Sequence, residues 1–445
     1  MDIQQFEDKG LAQYAYAIYS EKAHEIIVID PGRDISPYLE YAKGLHAKIT
    51  GIIETHPHAD FVSGHLELHR VTGATVYCSK RTGAAYPHVA FDDGMRIMLG
   101  DIVLKALNTP GHSPDSISVV LIYGGEPRAV FTGDTLFVGD CGRPDLREHT
   151  GNLTASRNEL AKQMYHSLRE KLMVLEDDVL VYPGHGAGTL CGKSLGDADS
   201  STIGVEKVSN WSLQPLSEPE FVTALLAQQP FIPKYFPYDV SVNREGAPDL
   251  QPSLDKVKIT AAIPEEENMI VIDTRPQSVF KQGHLPHAIN LQNGGKFETW
   301  LGSIVAPRTP YYLLAENETE LWEVIRKTAK IGYEPYIKAA VVYTKGTVTM
   351  APLPLADFRE HPEHYTIIDV RMASEINDEP VFSDAIAIPL DQLRERVSEI
   401  PADKPVVVHC AGGYRSAAGS SIVADALKDK VPVYDLGEAV KRFLQ

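Results

Sequence analysis

The segment THPHADF places His56, His58 and Asp60 two residues apart, directly after the β-branched run ITGIIE (49–54). Side chains two apart in an extended segment project to the same side, so three potential ligands face one point. Three later loops add His112 in TPGHSPD, Asp134 in FTGDT and His185 in YPGHG. The runs EIIVID (25–30), SISVVLIY (116–123), RAVFTG (128–133) and DDVLVYPG (177–184) read as buried strands ended by Gly, Pro or Asp. A fold that lines these strand ends along one edge gathers imidazoles and carboxylates, the donors a divalent first-row metal takes. His24, His46, His65, His69, His88 and His149 have no such setting and read as surface residues.

The rest of the chain limits the function classes. With 445 residues it is long enough for about three domains. Its formal net charge of −18 opposes a sequence-independent grip on nucleic acid, which needs a basic face. No apolar run approaches the roughly 20 residues of a membrane-spanning helix. The amino terminus, MDIQQFEDKGLAQ, has acids where a secretory signal has a basic end. Only four cysteines occur, at 78, 141, 191 and 410, too few for a disulfide scaffold. These features lead us to expect a cytoplasmic enzyme without a nucleic-acid or membrane partner.

Leu160, Met164, Leu168 and Leu172 form one apolar stripe on a surface helix, and a second helix is expected near 218–228. FIPKYFPYDVSVNREGAPDLQP has no period and reads as an exit strap and linker, with a boundary near 245. Beyond it the chain repeats itself. MIVIDTRPQSVF (269–280) matches YTIIDVRMASEI (365–376), HAINLQ matches DAIAIPL, and PYYLLA (310–315) matches PVVVHC (405–410). The expected division is 1–245, 246–353 and 354–445.

The constellation His56, His58, Asp60, His112, Asp134 and His185 resembles the signature of the metallo-β-lactamase superfamily over about residues 10–240. The resemblance implies an αββα sandwich, followed here by two small α/β domains. Phe61 stands where the second metal site of that superfamily normally has histidine, and a phenyl ring cannot ligate. TGDTLFVGDCGRPDL (132–146) and GHGAGTLCGK further resemble the persulfide dioxygenase branch. That implies one Fe(II) per chain on His56, His112 and Asp134, with His58, Asp60 and His185 outside the ligand shell. Such a two-His-one-carboxylate set leaves open positions. From spacing alone, His56, His58 and His112 would equally suit a tetrahedral Zn²⁺. Cys191, near the expected pocket mouth, is a candidate for persulfide handling. Arg143 could buttress Asp134 or attract an anionic thiol.

VVVHCAGGYRSAAGSSIVADAL (406–427) reads as a strand, a tight loop and a helix. Cys410 opens the loop and Arg415 closes it, with Ala411, Gly412, Gly413 and Tyr414 between and the helix starting near Ser416. Inward N–H groups and a helix N-terminus favour a thiolate and then a persulfide anion there. The loop resembles the active loop of rhodanese sulfurtransferases, and Asp369 and Arg371 match their strand signature. In the middle repeat Ala315 falls at the cysteine position, and Glu316, Glu318 and Glu320 are expected to fill its loop. That copy reads as a scaffold.

The whole chain therefore resembles fusions of a persulfide dioxygenase with a degenerate and an active rhodanese domain. The expected partners are a low-molecular-weight thiol persulfide, O2, sulfite and thiosulfate, and exposed sheet edges would allow a homo-oligomer. The competing readings are a dinuclear-zinc thioester hydrolase with a rhodanese appendage and a non-catalytic sulfur relay or sensor.

Overall fold

A computed structural model describes residues 1–148, 156–264, 269–428 and 430–443. Contacts divide the chain into two compact units, residues 1–252 with 330–332, and residues 253–329 with 333–445. His149 lies outside the described residues.

The first unit is built on two six-stranded sheets. One holds β1 (Asp2–Asp8), β2 (Gln13–Ser20), β3 (Glu25–Ile29), β4 (Lys48–Ile53), β5 (Thr75–Cys78) and β6 (Val89–Ala90), in that order. The other runs β12-β11-β10-β9-β8-β7, from β7 (Arg96–Leu99), β8 (Ile102–Asn108) and β9 (Ile117–Tyr123) to β10 (Glu126–Gly133), β11 (Leu180–Pro183) and β12 (Ser201–Thr202). Their inner faces interlock through Tyr16, Ile18, Ile27, Ile53, Leu104, Val119, Leu121 and Phe131, all nearly inaccessible to water. Helices cover both outer faces. Tyr38, Ala42 and Leu68 belong to the cluster on the first sheet, and Met164, Leu168, Leu172, Phe221 and Leu225 to the cluster on the second. The layers are those of an αββα sandwich.

The Leu160 stripe is realised as a helix, Arg157–His166, that widens into a π turn over Ser167–Leu172. Its start is fixed by a capping box, with Ser156 Oγ accepting from Glu159 N–H and Glu159 Oε2 accepting from Ser156 N–H. The expected second helix is present at Glu218–Leu226. The supposed strap is less irregular than its composition suggested: Phe236–Glu245 is a helix. Pro237 sits in its first turn, where a missing N–H costs nothing, and Phe236, Val240 and Asn243 are buried at helical spacing.

The second unit contains the sequence repeat as two parallel four-stranded sheets with the same strand order. The first runs β14-β13-β15-β16, from β13 (Ile270–Asp273), β14 (Ala288–Asn290), β15 (Tyr311–Ala315) and β16 (Ile337–Val342). The second runs β18-β17-β19-β20, from β17 (Thr366–Asp369), β18 (Ile386–Ala387), β19 (Val406–His409) and β20 (Val433–Asp435). Arg275 clamps Asp273 in one copy as Arg371 clamps Asp369 in the other, at 2.6 and 2.7 Å. Both Asp-x-Arg signatures are thus buried ion pairs that tie a strand end to its following loop. In the middle repeat Glu318 and Glu320 lie in the first turn of the helix Glu318–Lys330 rather than in a loop. Asn317 caps that helix, accepting from Glu320 N–H, and carboxylates are favourable beside its positive end.

Candidate metal centre and sulfur loop

Four strands of the first unit end at the place where the site forms. The loop after β4 carries His56, His58 and Asp60, β8 leads to His112, β10 to Asp134 and β11 to His185. One nitrogen each from His56 and His112 and one oxygen from Asp134 lie within 4.8 Å of one another, all buried. The ring contacts fix which atoms these are. His112 Nδ1 is 2.9 Å from the Arg143 carbonyl, which can only accept, so its Nε2 carries the lone pair. Thr55 Oγ1 donates to Asp30 Oδ2 and therefore accepts from His56 Nδ1 at 3.0 Å. Both Nε2 atoms then face Asp134 Oδ2, at 3.8 and 3.5 Å. His56 Nε2 and Asp134 Oδ2 are buried with no hydrogen-bond partner among the described residues. Atoms left this way are costly without an ion, and two neutral imidazoles with one carboxylate suit a divalent metal.

Electrostatics agree with that donor set. Burial holds His56 and His112 below the usual histidine range, which keeps them neutral. Burial alone would raise Asp134, yet His185 and the two facing imidazoles hold it well below the usual carboxylate range. His185 lies between two carboxylates, with Nδ1 at 2.9 Å from Asp134 Oδ1 and Nε2 at 2.7 Å from Asp60 Oδ2. Burial works against its protonation, but Asp134 and Asp60 raise it well above the usual range. His185 and Asp60 thus aim Asp134 from behind, as outer partners of a metal ligand do.

Glycines make this approach possible at two positions. A Cβ at Gly184 would stand 2.5 Å from Asp134 Oδ1. Gly133 has φ +49°, and a Cβ there would stand 2.6 Å from Thr55 Oγ1.

The His58 ring packs on that of His56, with centroids 4.3 Å apart, but its donor atom is directed to Asp30 rather than to the set of His56, His112 and Asp134. Its Nε2 is 3.2 Å from Asp30 Oδ1, and its ring packs on Phe61 with centroids 4.3 Å apart. Burial opposes its protonation, and Asp30 outweighs it to raise the pKa. Asp30 and Glu54 belong to this buried group and escaped the sequence reading. Asp30 is legible in sequence only as a strand terminator, although it directly follows β3 and accepts from both Thr55 N–H and Thr55 Oγ1 in the loop after β4. Burial and Asp30 push Glu54 up to about 8. His65, expected at the surface, is fully buried beside Glu54, with Nδ1 3.7 Å from Oε2. Its helix face turns inward because Tyr86 and Glu54 pack over it.

Two further expectations change. Cys191 is 1% exposed rather than at a pocket mouth. Its sulfur approaches Asp60 and His185 within 4.8 Å, and burial, then Asp60 and Asp134, raise its pKa well above the usual thiol range. Arg143 does not reach Asp134 with its side chain and is not free for a substrate. Its guanidinium pairs with both oxygens of Asp145 and donates to the carbonyls of Leu190, Phe231 and Pro230. Its backbone alone serves the site, through the His112 contact. Sequence reasoning also missed Asn243, on the helix taken for a strap. Asn243 Nδ2 donates to the carbonyls of His58 and Phe61, and Oδ1 accepts from Ser63 N–H.

In the second unit the Cys410 sulfur accepts from Gly413 N–H at 3.1 Å and from Ser416 N–H at 3.4 Å. Gly413, at φ +98°, turns its N–H inward at the start of the helix Tyr414–Ala426. Ala411 and Gly412 are exposed at the rim, and Tyr414 OH donates to the Gln292 carbonyl of the middle repeat. Arg415 is gripped by both oxygens of Glu375, at 2.5 and 2.7 Å, a partner not foreseen from sequence.

Comparison with known proteins places this geometry. Residues 9–185 match the metallo-beta-lactamase superfamily, and residues 257–351 and 354–439 each match the rhodanese-like domain. The mitochondrial persulfide dioxygenase of Homo sapiens is 29% identical over 173 residues, 39% of this chain and 63% of that protein. A hydroxyacylglutathione hydrolase of Hahella chejuensis is 36% identical over 172 residues, 39% of this chain and 61% of that protein. The chain thus spans less than two thirds of the length of these curated relatives. A solved metallo-beta-lactamase of Staphylococcus aureus is 32% identical with a TM-score of 0.69, covering 76% of this chain and 98% of that one. The chain belongs to the metallo-β-lactamase superfamily, has persulfide dioxygenases among its homologues, and carries two rhodanese-like domains behind its sandwich.

Proposed function

We propose that the protein is a bifunctional persulfide dioxygenase and sulfurtransferase. The first unit oxidises a low-molecular-weight thiol persulfide to sulfite, and the last repeat converts sulfite to thiosulfate. The observation that carries the reading is the buried set His56, His112 and Asp134, joined in one chain to a cysteine whose sulfur accepts from two backbone N–H groups. His56, His112 and Asp134 would hold one Fe(II), which when bound supplies the redox chemistry that lets O2 react with a sulfur anion. The net reaction is RSSH + O2 + H2O → RSH + SO3²⁻ + 2H⁺. His185 and Asp60 hold the Asp134 carboxylate in place, and the buried rings of Phe61 and Phe137 limit water.

In the last repeat the Cys410 thiolate attacks the outer sulfur of a second persulfide. That S–S bond breaks, RS⁻ leaves, and Gly413 and Ser416 N–H groups hold the new cysteine persulfide. Sulfite then attacks the outer sulfur, thiosulfate leaves, and the thiolate is restored. Sharing one chain raises the local sulfite concentration at Cys410.

An oxygen electrode with glutathione persulfide tests both halves. Cys410→Ser should keep oxygen uptake and sulfite release but lose thiosulfate; loss of all three would overturn the division of labour. One observation favours a second reading. Asp60, His185 and Cys191 form another buried donor group, as a dinuclear hydrolase would need. Two zinc ions per chain and cleavage of glutathione thioesters would establish that reading instead.

A further inference from the structure

The middle repeat has no cysteine, yet its first helix, Gln277–Gln282, is tied to the sulfur loop of the other repeat. Lys281 Nζ is 2.7 Å from Asp435 Oδ2, at the end of β20. The Asp435 side chain is fully buried, and its Oδ2 has no other polar partner among the described residues. Asp435 Oδ1 accepts from Gly437 N–H at 2.8 Å. The turn fixed in this way abuts Gly413: a Cβ on Gly413 would stand 3.1 Å from Glu438 N and 3.2 Å from Gly437 C.

The same lysine holds a second contact. Lys281 Nζ donates to Gln277 Oε1 at 2.8 Å, and Gln277 Nε2 would stand 3.4 Å from a Cβ on Gly413. Gln277 N–H donates to Gln292 Oε1, whose own carbonyl receives Tyr414 OH. The space where a Gly413 side chain would lie is therefore closed by the Gln277 amide together with the 435–438 turn, and Lys281 contacts both. It is also the residue whose N–H makes the shorter contact to Cys410 sulfur. At φ +98° a glycine has a wide range of neighbouring conformations open to it, so an unsupported loop would let that N–H swing away.

We infer that Gln277 and Lys281 are positioning residues for sulfur transfer, through which the cysteine-less repeat holds the Gly413 N–H on the Cys410 sulfur. The inference rests on Cys410 as the sulfur acceptor. It also gives that repeat a role beyond scaffolding: its lost nucleophile no longer matters, whereas its first helix must keep an amide and a cation.

The test uses the full-length protein with glutathione persulfide as donor and sulfite as acceptor. Gln277→Ala leaves the ion pair intact, and Lys281→Met removes it. Each should lower kcat for thiosulfate about tenfold with KM changed less than about twofold, because only the alignment of the acceptor is lost. Lys281→Arg should recover most of the rate. Alkylation of Cys410 by iodoacetamide at neutral pH should slow about fivefold in the two deleterious variants, which reads the sulfur without any sulfur transfer. Unchanged kcat and alkylation in Gln277→Ala, whatever Lys281→Met does to stability, would overturn the inference. If the wild type made no thiosulfate while the variants still slowed alkylation, the positioning role would stand and the proposed reaction would fall.

Discussion

Asp134 spends one carboxylate oxygen on His185, at 2.9 Å, and this turns its other oxygen toward His56 and His112. A ligand set with two imidazoles depends on that third atom pointing inward. His185→Ala should therefore weaken metal binding by about 10–100-fold without removing any of the three donors. Competition against a chromogenic chelator measures this, and unchanged affinity would mean that Asp134 needs no support.

The same carboxylate forbids a side chain at Gly184. Gly184→Ala brings a methyl group within 2.5 Å of Asp134 Oδ1, so either the strand end or the carboxylate must shift. Overpacking of this kind costs roughly 1–3 kcal/mol. The variant should show a lower thermal midpoint and reduced metal content together. A stable variant with full metal content would contradict the packing.

Asn243 should matter although it lies far from the metal-binding motif in sequence. Replacing it by Leu leaves the carbonyls of His58 and Phe61 and the Ser63 N–H without their buried partner. Each such group costs about 1–3 kcal/mol when left unpaired. Denaturant unfolding should show the first unit destabilised, and a loss below about 0.5 kcal/mol, the usual range for surface substitutions, would refute the contact.

Glu375 gives a pH test. Burial raises its carboxyl, but Arg415 outweighs burial and holds it below its ordinary 4.5. A lowered folded-state value means that the stabilisation is present above pH 4.5 and fades as pH falls through the lowered value. The side chain is 36% exposed, so the effect is small, about 1 kcal/mol or less. Wild type and Glu375→Gln should differ in thermal midpoint at pH 7 and converge in strong acid. A difference that persisted there would not come from the ion pair.

The parts of the fold and site legible in sequence are those written locally. The strands 49–54 and 177–184 and the loops they feed need only their own residues to be recognised. The repeat announces itself because both copies must seat an Asp-x-Arg pair. What escaped depends on neighbours distant in the chain. His65 starts a helix with a polar pattern, and its burial goes with the packing of Glu54 and Tyr86 against it. Asn243 lies in a helix disguised by Pro237, a residue harmless in a first turn. Cys191 and Arg143 were placed by motif proximity, whereas burial beside Asp60 and pairing with Asp145 decide what each can do. Lys281 is an ordinary surface lysine in sequence, and it gains meaning only when Asp435 is brought opposite.

The most direct test of the central claim is metal analysis of anaerobically purified protein, followed by oxygen uptake with glutathione persulfide. One iron per chain, lost together with uptake in His112→Ala, is the expected result. Two zinc ions per chain with thioester cleavage and no oxygen uptake would contradict it.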